Sequence, residues 1–272
     1  MKYKDLVIDE DFRAVVNFIS KKWDESFDRV VKIELGKSKV EVDSFKMALL
    51  NYYWPFKIKE SLPIGLDYFG SSYGASVKIL DLASEKLNSE KCPKQGAKIV
   101  LEWGGVVNKN LKRIANWKYP EFKNEVRKAQ QNWDGFLNNQ IELGVGNIDF
   151  HINSGFSKIY SLMLKDFIIY DSRTAAALTA IIHEVLGKAP NNWTLRVPSP
   201  RVNIEKRVPP KFDRVNTPRQ YWTSNLIASI LVQEVCKKIN LKKENVSTRD
   251  VEAALFMLGA DIRKLKGINK KK

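Results

Sequence analysis

Residues Ile152–Leu186 read INSGFSKIYSLMLKDFIIYDSRTAAALTAIIHEVL, and the fold turns on this stretch. Ile159, Leu162 and Met163 recur at i, i+3, i+4, the spacing of one helical face. Ala175, Leu178, Ile181, Ile182 and Val185 repeat the pattern after Tyr170-Asp171-Ser172-Arg173. Two apolar helices are therefore expected, the first opened by the small turn Asn153–Lys158 and the second by Asp171. An aspartate at that place can accept hydrogen bonds from the free N–H groups of the first turn. Those bonds and the helix dipole both favour its ionised form. A glycine turn at the head of the first helix gathers N–H groups that suit a phosphate.

The segment resembles the core of the helix-hairpin-helix DNA glycosylases. That family places a Gly-rich hairpin ending in Lys before a short helix, and an aspartate at the start of the next one. Gly155-Phe156-Ser157-Lys158 stands where the hairpin would be and Asp171 where the aspartate would be. The family hairpin carries two glycines two apart, whereas Ser154 and Phe156 flank a single Gly155 here. The interval from Lys158 to Asp171, 13 residues, is shorter than the family's. The resemblance covers about a quarter of the chain and implies an all-α fold, two helical subdomains flanking a basic DNA-binding cleft. It implies excision of a base: Asp171 stabilises the sugar cation and orients water. Gly155, Ser157 and Lys158 hold a neighbouring phosphate, and Arg173 joins the DNA-facing set. A Schiff-base role for Lys158 stays open beside the phosphate role, which the degenerate hairpin and short interval favour, so a monofunctional hydrolase is expected. A protein of the same kind that uses the hairpin only as a phosphate clamp, without catalysis, is the alternative.

The rest of the chain agrees with a nucleic-acid partner. Its 272 residues suffice for a substantial core. Their net charge of +15 makes duplex DNA the expected partner, through counterion release. Met1–Glu10 is charged and lacks an apolar leader core, and no run approaches a membrane span. Cys92 and Cys236 are far apart, more in keeping with reduced thiols than a staple. A monomeric cytoplasmic protein is expected. His151 and His183 have no cysteine at zinc spacing, and no Cys cluster or phosphate-loop motif is present. No metal or cofactor is expected, and His183 reads as a core histidine.

Other elements follow along the chain. Phe12, Val15, Val16, Ile19 and Trp23 suit an amphipathic helix. Val31–Val42 fits either a hairpin around Gly36-Lys37 or a helix ending at Gly36. Asp43-Ser44 should cap a helix reaching Trp54, within an aromatic cluster assigned to the core. Other helices are expected over 75–87, 97–103, 121–143, 221–239 and 251–258. Gly104-Gly105 after Glu102-Trp103 permits close approach, so Glu102, Trp103 and Asn110 are candidates for a base pocket with Trp103 as the stacking face. A plain helix cap with Trp103 in the core is the equal alternative. Lys112 lies in a stretch of interleaved basic and aromatic residues that can grip a nucleic-acid backbone. Residues 188–220 are rich in proline and arginine and suit a DNA-facing flap carrying Arg201 and Arg207. The expected division sets 1–64 with 188–272 as one subdomain, and 65–187, with the hairpin, as the other. Which base is removed is not written in these residues. The flap and the altered hairpin point to a specialised substrate. Likeness to defence-associated glycosylases implies a bulky modified base of bacteriophage DNA, and antiviral defence as the role.

Overall fold

A computed structural model describes residues 1–35, 38–63, 65–66, 68–198, 213–260, 265–266 and 268–269. Among them the protein is mostly helical, with 11 helices and two small antiparallel hairpins. None of the described helices is long and apolar enough to cross a membrane.

Side-chain caps set most helix starts. Asp9 accepts from Phe12 N–H at the head of α2 (Glu10–Lys21), which follows the short α1 (Tyr3–Ile8). Phe12, Val15, Val16 and Ile19 are buried on α2, along the face expected from their spacing. Between 31 and 42 the hairpin wins: β1 (Val31–Leu35) pairs antiparallel with β2 (Ser38–Val42), Val31 opposite Val42 and Ile33 opposite Val40. Val31, Ile33 and Val42 turn inward, as period-2 alternation requires. Ser44 caps α3 (Phe45–Leu50), which ends short of the expected Trp54. Pro55 disfavours a helical Trp54, so Tyr52–Pro55 runs as irregular chain before β3 (Phe56–Lys57), paired with β4 (Phe69–Gly70).

Ser72 caps α4 (Tyr73–Asn88), and Pro93 opens α5 (Pro93–Trp103) at the position where its missing N–H costs nothing. The basic α6 (Asn108–Asn116) and long α7 (Tyr119–Leu137) follow. α7 stops six residues before the expected Leu143. Asn139 adopts φ 59°, and the N–H groups of Gln140 and Ile141 turn back to the Gly135 carbonyl. α8 (Ser154–Met163) and α9 (Ser172–Leu186) are the two helices of the opening stretch. Gly187, at φ 72°, ends α9 in the left-handed region that glycine tolerates. Thr217 and Ser247 cap α10 (Pro218–Asn240) and α11 (Thr248–Leu258).

Packing forms two connected groups over one continuous apolar cluster. α4, α5 and α8 pack on one another. α10 packs on α2, and α11 on α3, α9 and α10. α9, grouped by sequence with 65–187, thus lies against α2 and α11. The start of α9 is where the two groups meet. Part of the proline-rich stretch also belongs to the core rather than to a flap: Trp193, Leu195 and Val197 are buried, and Val197 bridges to Arg214. Trp193 donates its ring N–H to Asp9 (3.0 Å).

Candidate active site

The site is built at the head of α8. Asn153 is its cap: Oδ1 accepts from Gly155 N–H (2.8 Å) and Phe156 N–H (3.1 Å), and Nδ2 donates to Asn110 Oδ1 (3.0 Å). Residues 155–158 are therefore the first turns of a helix, not a hairpin. Their donors are already used, since Ser157 N–H takes the Asn153 carbonyl. Gly155 is required for a different reason from the one expected. A Cβ there would sit 2.1 Å from Asn110 Nδ2, so the two elements touch only because the side chain is absent. Ser157 is fully buried, and its hydroxyl accepts from Tyr170 N–H (2.6 Å) and Asn225 Nδ2 (3.2 Å). Neither Gly155 nor Ser157 offers a phosphate a free donor. A fully buried hydroxyl with two donors already on it cannot also reach a DNA backbone.

Lys158 departs from expectation in the same direction. Its side chain is only 4% exposed, too enclosed for a surface phosphate clamp. It runs over the backbone at Gly104, where a Cβ would meet Lys158 Cε at 2.3 Å. The close approach allowed by that glycine is thus made by a lysine. Nζ donates to the Ser154 carbonyl (3.2 Å) and stands 3.7 Å from Asp171 Oδ2. Asp171 caps α9 as expected, Oδ1 accepting from Arg173 N–H (3.0 Å) and Thr174 N–H (3.1 Å). Its second oxygen is the one that faces the lysine. Two backbone bonds hold the carboxylate plane, so the pair does not depend on side-chain rotamers alone.

Arg173 reaches back over two rings, its guanidinium 5.3 Å from the centre of Trp54 and 4.8 Å from that of Phe256. Burial lowers its pKa, and the nearby charge of Asp171 works against that shift. Arg173 is therefore part of the site wall. Tyr52 lies in the same field, its phenol pushed up chiefly by burial, with Glu252 and Asp171 adding to it. Trp54 is half-buried and donates its ring N–H to the Trp103 carbonyl (2.8 Å). Of the two readings of Trp103, core and stacking face, the structure selects the core. Trp103 is 6% exposed and spends its ring N–H on Ser76 (3.2 Å), a core residue and not a stacking face. Glu102 is occupied as well, Oε2 accepting from the N–H groups of Lys59 (2.8 Å) and Glu60 (3.0 Å). Asn110 is buried against Asn153 and donates to Val106 O. None of the three lines a base pocket by an available polar group.

Lys112 is exposed on α6, beside exposed Lys109 and Arg113. Arg201 and Arg207 lie outside the described residues. Two groups escaped the sequence reading. Glu252, on α11, accepts from Ile169 N–H (2.8 Å). Burial, with Asp171 adding, pushes its carboxyl up to about 7 against the pull of Arg249, the Ile169 N–H and Lys158. Its one signal in sequence is a carboxylate inside the apolar run Val251–Leu258. His151 holds Glu125 through Nδ1 (2.6 Å) and stacks beside Phe156, a pairing that no spacing announces. His183 is half-buried on α9. No family model, curated protein or solved structure matches the chain.

Proposed function

We propose that the chain is a DNA glycosylase that draws a modified base out of duplex DNA and hydrolyses its N-glycosidic bond, with Asp171 as the catalytic carboxylate and Lys158 as the ammonium paired with it. The observation that carries this is the enclosed ammonium 3.7 Å from a carboxylate whose other oxygen is held by two backbone N–H groups. Such a carboxylate is preorganised to face the positive charge that develops on a sugar as its base departs. As the glycosidic bond breaks, the base leaves with the bonding pair and takes up a proton, and the Asp171 carboxylate faces the positive charge left on the sugar. Water then adds at C1′ and gives up a proton to solvent, which leaves an abasic sugar.

The enclosure of Lys158 keeps its ammonium on Asp171 and away from the phosphate role expected from sequence. It also weighs against a non-catalytic clamp, because the N–H groups such a clamp would use are spent on Asn153. The net charge of +15 and the exposed cations of α6 support a duplex partner. Trp54, backed by the Arg173 cation, is the ring best placed to meet an extruded base.

The test is to incubate the protein with plain bacterial DNA and with DNA from phages carrying modified bases, and to assay free bases and abasic sites. Release from modified DNA, lost in Asp171→Asn, is expected. Binding without release on every DNA would return the clamp reading.

A further inference from the structure

After a turn at Leu164–Asp166 the chain runs to Asp171 without regular structure, and side chains, not a partner strand, satisfy the backbone of Ile168–Tyr170. Ile168 N–H donates to Ser229 Oγ (3.2 Å), Ile169 N–H to Glu252 Oε2 (2.8 Å) and Tyr170 N–H to Ser157 Oγ (2.6 Å). The Tyr170 carbonyl accepts from the Tyr221 hydroxyl. Three helices, α8, α10 and α11, thus hold three consecutive residues in place. Unpaired buried amides are costly, so each of these bonds fixes the course of the chain. Glu252 is the one carboxylate among the four groups, and it grips the chain two residues before Asp171.

We infer that Glu252 is the positioning residue of the site: it fixes the backbone at Ile169 so that Asp171 Oδ2 faces Lys158. It does not touch the reacting atoms, and it acts through the segment it holds. Glu252 also lines a cavity of about 430 Å³ with Tyr73, Ser161, Asp166, Arg249 and Asp250, which opens the carboxyl to proton exchange with solvent. The charged and titratable groups that face it come from every neighbouring element. Arg249 and Asp250 are on its own helix, Tyr73 on α4 and Lys158 on α8. Asp166 lies in the α8–α9 connection, Asp171 at the head of α9 and Tyr52 after α3. Because burial holds the carboxyl near 7, its charge changes in the neutral range. An ionised carboxylate accepts an N–H bond more strongly than a neutral acid, so the grip on Ile169 tightens as pH rises through that value.

The rate readout of the test rests on the glycosylase reading; the exchange readout does not. Amide hydrogen exchange at Ile169 and Tyr170 is measured in the DNA-free protein from pH 6 to 8, for wild type, Glu252→Gln and Glu252→Ala. Single-turnover base release and DNA affinity are measured beside it. Glu252→Ala should lose roughly tenfold or more of the protection at Ile169 and a similar factor in rate, with DNA affinity unchanged. Glu252→Gln keeps an acceptor, so it should retain most protection and rate while flattening the pH step near 7. Unchanged Ile169 protection in Glu252→Ala overturns the inference, as does a loss spread equally over all core amides. If no DNA is cleaved by any variant, the glycosylase reading fails, and exchange at Ile169 still decides the role of Glu252.

Discussion

Replacing Glu252 by Gln should stabilise the protein at pH 8 and leave it unchanged at pH 4. In the folded chain the carboxyl is held up to about 7, mainly by burial. In the unfolded chain it ionises near the ordinary glutamate value of about 4.3. Between these values the folded form keeps a proton that the unfolded form has lost. The folded state therefore binds more protons, and stability falls as pH rises through the window. Below about 4.3 both states are protonated and the residue contributes in full; above 7 that contribution is gone. At ~1.4 kcal/mol per pH unit the whole window corresponds to roughly 3–4 kcal/mol. The side chain is half-buried, so solvent screening reduces this to about 1–2 kcal/mol. Gln is neutral at every pH and can still accept from Ile169. Urea unfolding of both proteins at pH 4 and pH 8 measures the difference directly, with equal m-values as the control. A Gln variant less stable than wild type at pH 8 would refute the reasoning, because it would mean that the ionised carboxylate gains more from its partners than it loses by burial.

Gly104→Ala places a methyl 2.3 Å from Lys158 Cε and should push the ammonium off Asp171. Base release is expected to fall by about tenfold or more, and the melting temperature to drop with it, because the displaced ammonium and Asp171 lose each other in an enclosed site. Unaltered release would show that the pair does not need its present geometry. Trp103→Ala should lower stability by ~3–5 kcal/mol, as removal of a core aromatic does, and depress binding to modified and plain duplexes together. A stable variant that loses only its preference for modified DNA would restore Trp103 to the pocket.

The fold was legible wherever local chemistry decides. Asp171 and Ser44 announced their helices, because a short polar side chain before an apolar run satisfies the first-turn amides. The alternation of Val31, Ile33 and Val42 was visible, yet the hairpin and a helix ending at Gly36 shared the same residues. Only packing of β1 on α11 and of β2 on α3 selects one. The partnership of Lys158 and Asp171 was suggested by resemblance, and the geometry of the pair was not. Their 13-residue interval closes because α8 stops at Met163 and a turn at Leu164–Asp166, with Asp166 at φ 57°, carries the chain back. Asn153 suits a turn, but its place before an apolar helix suits a cap equally. With the cap one residue before Ser154, the supposed hairpin becomes helix and its amides are consumed. Trp54 and Trp103 could not be ranked from sequence, since both are aromatic, both stand near chain breaks, and burial depends on distant elements. Glu252 was hidden for the same reason: its partner, the Ile169 amide, is 83 residues away.

The central claim is that the Asp171 carboxylate meets the sugar, and single-turnover base release by Asp171→Asn on modified duplex DNA tests it most directly. Asn can still accept from the Arg173 and Thr174 N–H groups, so fold and duplex affinity should persist. The account predicts release on the order of a hundredfold slower than wild type, as expected when a preorganised charge is removed. Release at the wild-type rate from a folded Asp171→Asn protein would contradict it.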